Sequence, residues 1–127
     1  NIVLKPTRNF MKIDEVMDAI KAKGKTPLLH AIDSALNLVE SFHKQNKFLT
    51  NLLVVISDGR VNVPFRNSMT EDLNWLGKRI KKLSLNNFVV DSNQKYNRSF
   101  LLQKMVRIFD GRYMVMEDTL LQGKISL

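Results

Sequence analysis

The feature that most constrains this chain is the unbroken apolar run Leu52-Leu53-Val54-Val55-Ile56, closed by Ser57-Asp58-Gly59-Arg60. Five apolar residues are too few for an ordinary helix, and their β-branched content favours extended backbone. A run without alternation reads as a strand covered on both faces, as inside a parallel sheet. It stops at an oxygen-bearing side chain followed by a glycine. In open α/β sheets, ligands bind beyond the carboxyl ends of the strands. Asp58 therefore stands where an ion or substrate would sit, and a plain Asp-Gly turn at a strand end fits the same residues.

The flanking patterns alternate between helix and strand. Ile2–Leu4 reads as the end of a strand, stopped by Pro6. Ile13, Val16, Met17 and Ile20 recur at helical spacing, with Asn9 as cap, Asp14 and Glu15 in the first turn and Gly24 as terminator. Thr26 can cap a second helix that begins at Pro27 and runs through Leu29, Ile32, Leu36 and Val39. Leu28, Ala31, Ala35, Leu38 and Phe42 widen its apolar face, as expected for a helix against a sheet. Thr70 is the expected cap of a third helix, with Leu73, Leu76, Ile80 and Leu83 as its stripe and Trp75 beside it. Asn87–Asp91 is a short strand. A fourth helix with Phe100, Leu101, Met105, Ile108 and Phe109 inside ends at Gly111, and Tyr113–Met116 is the last strand. Strands separated by helices give βαβ units, hence an α/β fold with a mostly parallel sheet.

With 127 residues and no internal repeat, residues 1–127 read as one domain. No cysteine is present, which removes disulfides, thiolate metal sites and a thiol nucleophile, and suits a cytoplasmic location. No run reaches the roughly 18 apolar residues of a membrane span. The net charge of +8 raises the question of nucleic acid, but the basic residues are scattered in short pairs such as Lys81-Lys82, as on a solvated surface. No P-loop, Gly-x-Ser-x-Gly elbow or His-Glu-x-x-His occurs, and His30 and His43 stand apart from any ligand at metal spacing. What remains is oxygen chemistry from Thr26 and Asp58, which suits Mg²⁺, while a simple helix cap also accounts for Thr26.

Taken together, these stretches resemble a von Willebrand factor A domain. Within that family they are most similar to the carboxyl-terminal A domain of the magnesium chelatase D subunit and its cobalt chelatase relatives. The resemblance rests on Leu4-Lys5-Pro6-Thr7-Arg8, Thr26-Pro27-Leu28, Asp58-Gly59-Arg60-Val61-Asn62-Val63, Val89-Val90-Asp91 and Gly111-Arg112-Tyr113. It implies a doubly wound, Rossmann-like sheet with helices on both faces. It also implies a metal-ion-dependent adhesion site in which Thr26 and Asp58 hold a divalent cation, with Arg60 and Asn62 facing a protein partner. The family's Asp-x-Ser-x-Ser motif is absent, so the chain is expected to lack the family's first strands and to hold Mg²⁺ weakly. The strand at Leu52–Ile56 would then need another chelatase subunit, a second copy or a preceding segment along its bare edge.

The resemblance implies a non-catalytic interaction module of an ATP-dependent chelatase acting on tetrapyrroles. The alternatives are a stand-alone A domain that binds protein in a Mg²⁺-dependent way, then an α/β enzyme using Asp58, then a nucleic-acid binder.

Overall fold

A computed structural model describes residues 4–19, 27–45, 50–60, 64, 66–94 and 96–116. In chain order the elements are α1 (Phe10–Ala19), α2 (Leu28–Gln45), β1 (Leu52–Ser57), α3 (Met69–Lys82), β2 (Asn86–Asp91), α4 (Phe100–Phe109) and β3 (Arg112–Val115). The strands form a parallel sheet in the order β1-β2-β3. The chain is an α/β protein. Of the four expected strands three are present, and Ile2 and Val3 of the other lie outside the described residues.

The register fixes which side chains share a face. Val55, Val89 and Tyr113 form one row, as do Ser57, Asp91 and Val115. Val54, Phe88 and Arg112 form a row on the opposite face, with the Arg112 guanidinium 5.7 Å from the Phe88 ring centre. The first face carries the core. Val55 and Val89 pack with Leu29, Ile32 and Leu36 of α2, Leu73, Leu76 and Ile80 of α3, and Leu102, Met105 and Phe109 of α4. Both crossovers step the same way across the sheet, which brings α3 and α4 to one side. Gly77 of α3 lies so close to Ile108 that a Cβ there would sit 2.9 Å from its Cγ2.

Helices on both faces are not seen among the described residues. α2, α3 and α4 share one face, and α1 buries none of its residues, Met17 included. The expectation that β1 is covered on both sides is also corrected. Leu52, Val54 and Ile56 are 42%, 45% and 60% exposed; they share the face opposite the packed helices, and β1 is the sheet's edge strand among the described residues. β2 is the covered strand, with every residue from Asn87 to Asp91 buried.

The caps refine the helix limits. Asn9 caps α1 as expected, its Oδ1 accepting from the Lys12 amide at 3.3 Å, but Asp14 and Glu15 fall beyond the first turn. Pro27 offers its carbonyl to the Ala31 amide, and Thr26 lies outside the described residues. Ser68 rather than Thr70 caps α3, its Oγ accepting from Glu71 N at 3.2 Å. Ser68-Met69-Thr70-Glu71 is the Ser-x-x-Glu capping pattern, and Thr70 instead accepts from Lys104 Nζ across to α4. Phe100, expected inside, is 88% exposed, since Ser99 caps α4 and turns Leu102, Met105 and Phe109 inward. Asp110, not Gly111, takes the left-handed conformation that ends α4. Gly111 is needed for space, because a Cβ there would lie 1.9 Å from Asn87 Oδ1.

Arg79 joins α3 to α2. Its guanidinium donates to Asp33, Asn37 and Glu40, and it stacks on Trp75, whose ring also carries Arg66 at 4.1 Å. Trp75 is thus half-buried between two cations, a structural placement that accounts for its position off the apolar stripe.

Candidate functional site

The carboxyl ends of β1 and β2 are tied together by polar groups. Beyond β1, Ser57 Oγ accepts from the Gly59 amide at 3.0 Å, and Asp58 Oδ1 accepts from the Arg60 amide at 2.9 Å. These two local bonds fold residues 57–60 into a compact turn that leaves Asp58 exposed. Gly59 has φ +67° and is pressed against α4, so that a Cβ there would lie 2.1 Å from Ser99 Oγ. The aspartate is therefore presented at the rim by a turn seated on the start of α4.

Beyond β2, Asp91 is fully buried and its carboxylate is heavily hydrogen-bonded. Oδ1 accepts from the backbone amide and the side-chain Nδ2 of Asn93, at 2.9 and 2.7 Å. Oδ2 accepts from the Ser99 amide at 2.8 Å and from the Tyr113 hydroxyl at 2.7 Å. Burial alone would raise its pKa, but the bonds from Tyr113, Ser99 and Asn93 favour the anion and hold it below the usual carboxylate value. Tyr113 is driven the other way, well above the ordinary phenol range, by burial and by its bond to the charged Asp91. One carboxylate thus joins β2, β3 and the start of α4.

Asn93 connects the two turns. Its Nδ2 donates to the Asp58 carbonyl at 2.7 Å, and its Oδ1 accepts from Arg60 Nη2 at 3.4 Å. The backbone is stitched at the same level by Ser92 N donating to Ser57 O at 2.9 Å.

Of the residues singled out from the sequence, Asp58 and Arg60 fall at this rim, while Thr26 and Asn62 lie outside the described residues. The first half of α2 runs against β1, where Leu28, Ala31, Ile32 and Ala35 line a cleft of about 200 Å³ with residues 53–56. Asp58 is an exposed carboxylate, the hard-oxygen chemistry that divalent cations such as Mg²⁺ take. Among the described residues, no three His, Cys, Asp or Glu side chains gather around a common point.

No protein-family model matches this chain. No helix among the described residues is long and apolar enough to cross a membrane.

A larger cavity of about 370 Å³ opens at the opposite rim, between Thr50–Leu52, Asn86–Phe88 and Asp110–Arg112. Asn87 Oδ1 is a buried acceptor there without a hydrogen-bond partner, but it is sealed behind Gly111, out of reach of a ligand. That rim also carries an exposed carboxylate and guanidinium, Asp110 and Arg112, but it lies at the amino ends of the strands, whereas ligands of open α/β sheets bind beyond the carboxyl ends, where Asp58 and Arg60 stand.

Sequence reasoning missed Asn93, Ser99 and Tyr113. The signal was the likeness of Val-Ile-Ser-Asp-Gly at the end of β1 to Val-Val-Asp-Ser-Asn at the end of β2, two polar turns at adjacent strand ends.

Proposed function

We propose that this chain is a protein-interaction module of the von Willebrand factor A type, from the D-type subunit of an ATP-dependent magnesium or cobalt chelatase. Its carboxyl rim holds one divalent cation, with Asp58 and Thr26 as protein ligands, and presents it to a partner beside Arg60 and Asn62. The observation that carries this reading is the exposed Asp58 carboxylate on a braced turn at the end of a parallel strand. The doubly wound family fold belongs to the same proposal; the small parallel three-stranded sheet with its helices supports only the α/β class of that fold. The bound cation supplies a positive centre for an oxygen of the partner. The chain's own residues orient the carboxylate, keep the turn closed and offer the Arg60 guanidinium to an acidic surface.

Titration with Mn²⁺, a spectroscopically visible substitute for Mg²⁺, tests the site. Asp58→Ala is expected to weaken Mn²⁺ binding at least tenfold while costing urea stability no more than about 1 kcal/mol, the loss of one exposed hydrogen bond to the Arg60 amide. Equal affinity in parent and variant removes the metal role.

The edge of β1 makes a second demand. Val54 and Ile56 are exposed, β1 has a strand neighbour on one side only among the described residues, and a strand bare on one side pairs readily with another chain. A protein partner, either another chelatase subunit or a second copy, covers that edge in the proposed assembly. Sedimentation of the purified chain should show association that Val54→Lys with Ile56→Lys abolishes. A cooperatively folded monomer at all concentrations would count against an edge that needs covering.

A further inference from the structure

We infer that Asn93 is a positioning residue for the Asp58 turn, acting from the neighbouring strand end through its side-chain amide. The inference rests on the reading of Asp58 as a cation ligand and adds the device that holds that ligand in place.

Asp58 follows the edge strand and is exposed, and two bonds within its own turn restrain it locally. Asn93 supplies restraint from outside the turn and grips it at two points. The Nδ2 group donates to the Asp58 carbonyl at 2.7 Å, and Oδ1 accepts from Arg60 Nη2 at 3.4 Å. This double contact needs a donor and an acceptor on one short planar group, which asparagine has and aspartate lacks. Asn93 is itself 8% exposed and is fixed by two further bonds to Asp91, which Ser99 and Tyr113 hold from the far side. Order therefore passes from β3 and α4 through Asp91 and Asn93 to the exposed ligand. Supporting groups of this kind, removed one at a time, cost metal sites about 10- to 100-fold in affinity.

The test compares the full chain with Asn93→Ala and Asn93→Asp, using amide hydrogen exchange by NMR and Mn²⁺ titration. In both variants exchange at the Arg60 amide should quicken at least tenfold while Val89 and Val90 in β2 keep their protection. Mn²⁺ affinity should fall about tenfold, and Asn93→Asp should fail as Asn93→Ala does, because it cannot donate to the Asp58 carbonyl. Unchanged Arg60 exchange overturns the inference, and so does a quickened turn that binds Mn²⁺ as tightly as before. If the parent binds no Mn²⁺, the ligand reading of Asp58 fails, and the positioning role fails with it even where exchange quickens. If instead the parent binds Mn²⁺ and the variants match it throughout, only the positioning role is lost. Should the variants not fold, the parent decides the matter: the Asn93 side-chain amide protons must exchange far more slowly than those of a free asparagine. Exchange at the free rate rejects the grip.

Discussion

Asp91→Ala is expected to lower the stability of the chain by about 4 kcal/mol in urea unfolding, the loss of a buried charged acceptor that leaves several donors unpaired. The Asn93 amide, Asn93 Nδ2, the Ser99 amide and the Tyr113 hydroxyl all donate to this one side chain, which is itself shut off from water. Tyr113→Phe removes one of these donors and keeps the ring, so about 1–1.5 kcal/mol is expected there. The pH dependence separates this account from a generic packing defect. The Asp91 pKa is lowered on folding, so its contribution is complete above the unfolded value of about 3.9 and is lost as pH falls through the lower folded value. The Tyr113 pKa is raised, so its contribution is complete below about 10 and is lost as pH climbs through the folded value. The parent should therefore lose stability below about pH 4. Asp91→Ala should lack that part of the decline. An identical acid limb in parent and variant would show that the ionised carboxylate is not what holds the rim together.

Much of the scaffold was legible in the sequence because its signals are local. The apolar run Leu52–Ile56, the Asn87–Asp91 stretch and the residues after Gly111 form parallel strands, and the helical stripes between them form the crossovers. What was misjudged depended on tertiary neighbours. The composition of Leu52–Ile56 suits burial on both sides, but Val54 and Ile56 lie on the face opposite the one where α2, α3 and α4 pack, and β1 is also the edge strand among the described residues. Phe100 belongs by hydrophobicity inside α4. The cap at Ser99 places it in the first turn, pointing away from the sheet. The candidate site was half legible. Asp58 announces itself as an oxygen ligand before a glycine, whereas Asn93 looks like an ordinary loop residue until the register of β1 against β2 sets the two turns side by side. Contacts across 35 positions leave no periodic trace, so that brace could be found only in three dimensions.

Gly59→Ala is expected to cost about 3 kcal/mol and to weaken cation binding together with it. Two strains add at this position. The left-handed backbone at φ +67° costs an alanine roughly 1–2 kcal/mol relative to glycine. The new Cβ would also fall 2.1 Å from Ser99 Oγ and 2.9 Å from Leu102 Cγ, so the turn and the start of α4 must part. Ser99 caps α4 through the Leu102 amide, and loss of such a cap costs about 1 kcal/mol. Because Ser99 N also donates to Asp91, movement there loosens the carboxylate that steadies Asn93 and, through it, the Asp58 carbonyl. Asp58→Ala should behave oppositely, losing Mn²⁺ with little change in stability. Urea midpoints and Mn²⁺ titrations of the two variants distinguish a ligand from the frame that holds it. Gly59→Ala unfolding like the parent would mean that α4 does not press on the turn, and the braced geometry proposed for Asp58 would fail with it.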